Sequence, residues 1–472
     1  MLSLSTKEAI KVALSFSLAI IIALALGWDK PYWAAVTVIV LVMNETFAHS
    51  IKTARDRVLG TLFGIGAALV LIINFAQEPL LFLTCFIGFA GLCTYLSFNY
   101  HYGYIFKIGF MVCAIVSCIG SFDGAATFNI AILRIQETLL GVCVFSMVYR
   151  FLWPVTSESR FFAALAAVVA QQRQLEQTLY GAMAGDEDQA LDSKTIAGFE
   201  SLHKMSLILG LPLTDSLHLK ANKQQWQMVI RVLYDNGLLL QRLAYQFNQT
   251  EPGLSFRQQT NFYSQTLLSS SRLMLVEDAM AQPQLSIDIV NHRHSKGVIS
   301  WQELQEQFAQ PLDRKSHAID ALMAMLCITS CYVFWLWTAF PGGVMFPMVV
   351  ASLSVTMAAM PTTILGDVAK GLPLWTALIL TQYVLLLPTL TEAWQLGLFY
   401  FINCFAIWML CQSPRLMLQR MLAGNLLVLL TVSALSTTPS YDISIALNML
   451  VDLSVALVAI VFFMRLFQPL RS

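Results

Sequence analysis

The stretch RDRVLGTLFGIGAALVLII, Arg55 to Ile73, sets three charges directly before a run apolar enough to sit in lipid. A near copy, RIQETLLG from Arg134 to Gly141, lies inside another apolar run. Both place an Arg, a Thr and a Gly at offsets of 0, 4 and 7: Arg57, Thr61 and Gly64, then Arg134, Thr138 and Gly141. At ~100° per residue these lie within ~60° of one another on a helix. Each octapeptide is expected to form one stripe whose small Thr and Gly admit a neighbouring helix, with the Arg ending it at a membrane surface. The copies differ where Gly60 becomes Glu137.

The rest of the chain agrees with a lipid setting. Of 472 residues, 57% are hydrophobic and 12% charged, with a mean hydropathy of +0.66, whereas soluble domains carry about 25% charged residues. Segments of roughly 20 mostly apolar residues, the length a span needs, run at 9–27, 33–50, 57–76, 79–98, 103–121 and 129–152. Six more run at 318–338, 342–360, 367–388, 393–411, 416–435 and 443–466. Lys7, Lys11, Lys52, Arg55, Arg57 and Arg150 occupy alternate ends, against Asp29, Lys30, Glu78 and Asp123 on the opposite connections. That asymmetry predicts a cytoplasmic N-terminus. Arg314, Lys315, Lys370, Arg415, Arg465 and Arg471 repeat it, so the C-terminus is expected on the same side.

Residues 154–316 differ, holding more than half of the 28 basic and 28 acidic residues in about a third of the chain. Segments such as FFAALAAVVAQQRQLEQTLYGAM and WQMVIRVLYDNGLLLQRLAYQF show apolar residues at helical spacing, and AGDEDQALDS and NQTEPG mark turns between them. Four or five amphipathic helices are expected, forming either a regulatory or dimerising domain or a bundle that only packs. The predicted architecture is an all-α polytopic membrane protein of about twelve transmembrane helices. It comprises one six-helix half at 1–153, a helical cytoplasmic domain at 154–316 and a second half at 317–472.

The halves look related. RFLWP, Arg150 to Pro154, and RLFQP, Arg465 to Pro469, both read R-x-x-x-P, and aligning them superimposes the first and seventh spans. Two parallel six-helix bundles follow, with Glu137 over Asp452. The Arg57 and Arg134 stripes start from opposite membrane sides, which marks an inverted three-span repeat inside each half.

Several function classes are excluded. The nine cysteines all fall in apolar stretches and show no metal-ligand spacing, so no metal is expected. His292 and His294 flank Arg293 in a polar loop, as solvated residues do. No GxxxxGK[ST] loop or nucleophile–base constellation appears, so neither nucleotide-driven chemistry, a cofactor nor an enzyme is expected. A net charge of zero suggests no nucleic-acid partner. Lys7 and Lys11 precede an apolar run with no cleavage site, as in an uncleaved first span.

Charges at depth are the candidates for function. An ionised carboxylate inside a span costs at least ~2.5 kcal/mol, so Glu137 and Asp452 are expected to be protonated, paired or facing water. Arg134 and Lys107 are the best-placed cations, with Arg57 at the cytoplasmic mouth. Arg134 and Glu137, spaced i, i+3, share a helix face and can pair; alternatively Arg134 snorkels to the surface. Tyr100, Tyr102 and Tyr104 beside Lys107 suit either an interfacial belt or an entrance for aromatic substrates.

PYWAAVTVIVLVMNETFAHSIKTARDRVLGTLFG from Pro31 resembles the fusaric acid resistance and aromatic acid exporter family of bacterial inner-membrane proteins, whose pattern is a PYWA loop, a span, then RVLGT-x-x-G. RIQETLLG and FWLWTAFPGGVMFPMVVASLSVTMAAMP are similar to further family segments, so the resemblance covers nearly the whole chain. It implies a bacterial inner-membrane exporter of aromatic or other hydrophobic carboxylic acids, coupled to protons and working with a periplasmic membrane-fusion protein. A homodimer is compatible with it. Unlike longer members, the sequence stops at Ser472, after the last span. A passive organic-anion channel and a non-transporting envelope scaffold remain alternatives.

Overall fold

In the computed structural model all the described secondary structure is helical. The structure describes residues 3–471 apart from 29, 44–46, 100–101, 121–122, 155–156, 184–191, 211–215, 250–255, 282–299, 309–313, 339, 341, 359, 361–363 and 437. Most of AGDEDQALDS and NQTEPG, with Asp29, Tyr100, His292 and His294, lies outside the described residues. The chain divides into two compact units: Met1–Glu45, Ser50–Pro154 and Leu312–Ser472 form one, Thr46–His49 and Val155–Pro311 the other.

The first unit holds α1 (Leu4–Ala25), α2 (Tyr32–Val42), α3 (Phe47–Phe75), α4 (Pro79–Leu96), α5 (Gly103–Ile119) and α6 (Gly124–Phe151). After the other unit's helices, α7 to α12, come α13 (Arg314–Thr338), α14 (Met345–Met357), α15 (Ile364–Leu385), α16 (Ala393–Leu410), α17 (Met417–Leu429) and α18 (Ile443–Arg471). Among the described residues eight helices are long and apolar enough to cross a membrane. The chain is an all-α, multi-pass membrane protein. Large apolar side chains such as Ile73, Leu80, Trp337 and Val458 are exposed on these helices, as lipid-facing residues are.

A helix stands at each expected span, but α2, α5, α14 and α17 are short. They occupy the second and fifth places of both halves. Local sequence explains the lengths. Pro31 stands at the start of α2, Gly343 (φ 56°) precedes α14, and a short 3-10 turn at Pro414–Leu416 leads into α17. Gly103 opens α5 where a Cβ would lie 2.1 Å from the Ser97 carbonyl oxygen.

Packing also repeats between the halves. α1 contacts α2 and α6, as α13 contacts α14 and α18, and α2 packs on α6 as α14 does on α18. The halves join reciprocally: α1 with α16 and α13 with α4, then α2 with α17 and α14 with α5. The four short helices thus make contacts between the halves. The R-x-x-x-P ends are less alike than their spelling: α6 stops at Phe151, with Trp153 at φ 40° before Pro154, whereas Pro469 lies inside the last turns of α18.

Without water to drive association, packing and hydrogen bonding hold such helices together. Buried hydroxyls bond back to the carbonyl four residues earlier, as Thr61 does to Arg57 and Thr94 to Ala90. The glycines set how closely backbones approach. A Cβ on Gly64 would lie 2.2 Å from the Gly109 carbonyl oxygen and 3.0 Å from Val112 Cβ on α5. One on Gly141 would lie 2.6 Å from the Ala34 carbonyl oxygen and 2.8 Å from Thr37 Cβ on α2.

The second unit comprises α7 (Ser157–Met183), α8 (Asp192–Gly210), the short α9 (Leu217–Ala221), α10 (Lys223–Gln249), α11 (Phe256–Ala281) and α12 (Trp301–Phe308). Apolar stripes at helical spacing meet in one core containing Phe161, Leu165, Val168, Leu202, Trp226 and Leu233. A polar seam crosses it: Gln172 donates to the Leu233 carbonyl at 2.8 Å, and Asn236 donates to Gln172 at 3.0 Å.

Candidate functional site

The short helix α2 gathers most of the candidate residues. Its Trp33 and Thr37 are one turn apart, and the Thr37 hydroxyl donates to the Trp33 carbonyl at 3.0 Å. Arg57, from α3, donates through Nε to Thr37 Oγ1 at 3.1 Å and reaches the Tyr104 hydroxyl on α5 at 3.4 Å. Arg134, from α6, lays its guanidinium over the Trp33 ring, 4.5 Å from the centroid. Its Nη2 is 2.5 Å from Glu137 Oε2.

Both arginines are 4% exposed and Glu137 is fully buried. The Arg134–Glu137 approach has an ion pair's distance without a hydrogen bond's angle. Arg134 Nε, the Trp33 indole N–H and both Glu137 carboxylate oxygens therefore lack hydrogen-bond partners among the described residues. Lys30, just before α2, also acts electrostatically on Glu137, and Arg57 acts on Arg134. Three cations and one carboxylate thus surround the first turns of α2, an arrangement that favours an anion. Trp33 also packs against a cluster of Ile115, Cys118 and Met348, the last of these on α14 of the other half.

In the second half, Asp452 on α18 is 2% exposed. Its carboxylate lies over Gly342, where a Cβ would fall 1.9 Å from Oδ1. Glu137 and Asp452 therefore occupy corresponding places, each beside the start of a short helix. Helix N-termini favour negative charge. Their surroundings differ, because Asp452 has no ion pair and its Oδ1 no hydrogen-bond partner among the described residues.

The structure corrects two expectations. Arg57 does not end its stripe at an exposed surface: it is buried, and α3 starts at Phe47, ten residues earlier, because no helix breaker interrupts that stretch. Nor does Arg134 snorkel, since it is buried against Trp33. The stripe itself is present. Thr61 and Thr138 are buried, and Gly64 and Gly141 bring α5 and α2 to close range. Lys107 is half-buried on α5, one turn beyond Tyr104, and forms no ion pair with any described residue.

Trp33, Thr37 and Gly342 were not singled out from the sequence as site residues, whereas Tyr104 reads there as part of an interfacial belt or of an entrance for aromatic substrates. Trp33, near a span end, reads as an interfacial anchor, and Thr37 stands in an apolar run. Gly342 stands in a Gly-Gly turn, and only the fold brings the Asp452 carboxylate onto it.

Comparison with known proteins agrees with this architecture. The profile of the Fusaric acid resistance protein family matches residues 8–208 and 220–472. An "Uncharacterized transporter YdhK" of Salmonella typhimurium is 28% identical over 156 residues, which are 32% of this chain and 23% of that protein. A "p-hydroxybenzoic acid efflux pump subunit AaeB" of Musicola paradisiaca is 25% identical over 192 residues, 38% of this chain and 30% of that protein. The matched region spans less than a third of either relative's length. With both membrane halves and most of the intervening segment covered by the profile, the chain belongs to the Fusaric acid resistance protein family.

Proposed function

We propose that the chain is the membrane-spanning component of an efflux transporter that exports organic anions, aromatic carboxylates above all, in exchange for protons. The observation that carries this reading is the buried Arg134–Glu137 pair stacked on Trp33. A carboxylate losing its hydration needs a cation, and its ring needs apolar or aromatic walls; this site offers both. An entering anion takes Arg134, assisted by Arg57 and Lys30, and the released Glu137 accepts a proton. The anion then leaves on the far side, the proton on Glu137 is carried back inward, and its release lets the Arg134–Glu137 pair re-form.

The relatives support the reading by name, one as a transporter and one as a subunit of a p-hydroxybenzoic acid efflux pump. A periplasmic membrane-fusion protein is the expected partner, and a bacterial inner membrane with both termini cytoplasmic the expected setting. The unit of α7 to α12 is then a cytoplasmic domain inserted between residues 1–153 and 317–472. No bound cofactor or metal is needed for such exchange, and the function is transport rather than catalysis.

The excess of cations around α2 also suits a passive anion pathway. Uptake of a panel of aromatic acids into inverted membrane vesicles, with and without an acid interior, separates the two. Gradient-dependent uptake is expected; equal uptake without the gradient points to the passive route.

A further inference from the structure

The two membrane halves repeat one packing scheme around different chemistry. In the first half, Arg57 and Arg134 are both buried beside α2, and Arg134 pairs with Glu137. In the second, the offset that sets Glu137 over Asp452 puts Met449 at the place of Arg134 and Leu372 at that of Arg57. The acid has been kept and both cations are absent.

Nothing on the helices around Asp452 replaces them. α18 packs against α13, α14 and the 3-10 turn at Val432–Leu435. α14 and that turn carry no charged residue, and α13 carries Arg314, Lys315, His317 and Asp320 only in its first two turns. No charged or titratable group among the described residues acts electrostatically on Asp452. Its burial is specific, because the side chain occupies the space left by the missing side chain of Gly342; alanine there would put a carbon 1.9 Å from Oδ1.

An unpaired carboxylate in such a place must lose its charge or its position. We propose that Asp452 is the membrane unit's resting proton site, carried as a neutral carboxylic acid, while Arg134 keeps Glu137 ionised. The first half is then the anion-handling half and the second the proton-holding half. This deepens the proposed exchange by locating a proton before substrate arrives, and it rests on that reading only for what the proton is used for.

A test that needs neither substrate nor gradient keeps the two apart. An apolar carbodiimide reacts with protonated carboxyls in apolar surroundings, adding to the carboxylic acid and rearranging to a stable N-acylurea that mass spectrometry locates. With the whole protein in its membrane at neutral pH, Asp452 is expected to be modified at least several-fold more than Glu137. Arg134→Gln should bring Glu137 reactivity up to a comparable level. An infrared band of a protonated carboxyl, lost in Asp452→Asn, is the second readout and does not depend on reagent access. Absence of that band, or modification of Glu137 in preference to Asp452, would overturn the assignment. Absence of exchange by the unmodified wild type, with Asp452 protonated by both readouts, would instead count against the transport reading and leave the proton site standing.

Discussion

Gly64 and Gly141 make the same contact in two helix pairs. Each faces a backbone carbonyl and the side chain three residues further on: Gly109 and Val112 on α5 for Gly64, Ala34 and Thr37 on α2 for Gly141. The third helix thus meets the fifth as the sixth meets the second, the exchange of partners that a three-helix repeat produces. Alanine at Gly64 or Gly141 must push two helices apart and is expected to cost about 1–3 kcal/mol. At Gly66, two residues from Gly64, a Cβ meets nothing within 4 Å, and alanine should be neutral or slightly stabilising, by up to ~1 kcal/mol. Unfolding of the three variants in detergent gives the comparison.

The Arg134–Glu137 pair predicts a coupled result. Removing either charge alone strands the other in a buried site, at a cost of about 3–5 kcal/mol. Arg134→Gln combined with Glu137→Gln should be less damaging than the sum of the singles. A double-mutant cycle on thermal unfolding measures that coupling, and strict additivity would mean the two side chains do not interact.

Thr37 is the acceptor that holds Arg57. Thr37→Val keeps the shape and deletes the oxygen at 3.1 Å, leaving a buried charged donor short of a partner at about 1–3 kcal/mol. Tyr104→Phe, at a contact of 3.4 Å, should cost less. Ranking the two by unfolding midpoint checks which helix positions Arg57.

How much could be read from the sequence depends on whether one segment or two were needed. Helix existence, a separate helical unit between the two apolar sets and the Thr and Gly stripes were legible because periodicity and hydropathy are local. The lengths of α2, α5, α14 and α17 were not, since their residues remain apolar beyond the turns that end the helices. The i, i+3 spacing of Arg134 and Glu137 gave their pairing as one option; the stack on Trp33 was hidden because it joins α6 to α2. The burial of Arg57 was not legible because its neighbours Arg55 and Asp56 suggested a wet surface, whereas of the three only Arg55 is exposed.

In the second unit, Glu176 on α7 predicts a pH effect. Desolvation raises its carboxyl above the ordinary carboxylate range, outweighing the lowering by the Ser270 hydroxyl and Arg173. A raised folded value means that the folded state holds the proton more tightly. The stabilisation is present below the ordinary carboxyl pKa of about 4.3 and lost as pH rises through the raised value. Glu176→Gln should flatten that dependence, read as hydrogen-exchange protection of α7 and α11 across the acid range.

The most direct test of the central claim is uptake of a radiolabelled aromatic carboxylate into inverted vesicles bearing the wild-type chain or Arg134→Gln in equal, folded amounts. Accumulation driven by an acid interior in the wild type, lost in the variant, is the predicted result. Accumulation equal in the two, or indifferent to the gradient, would contradict it.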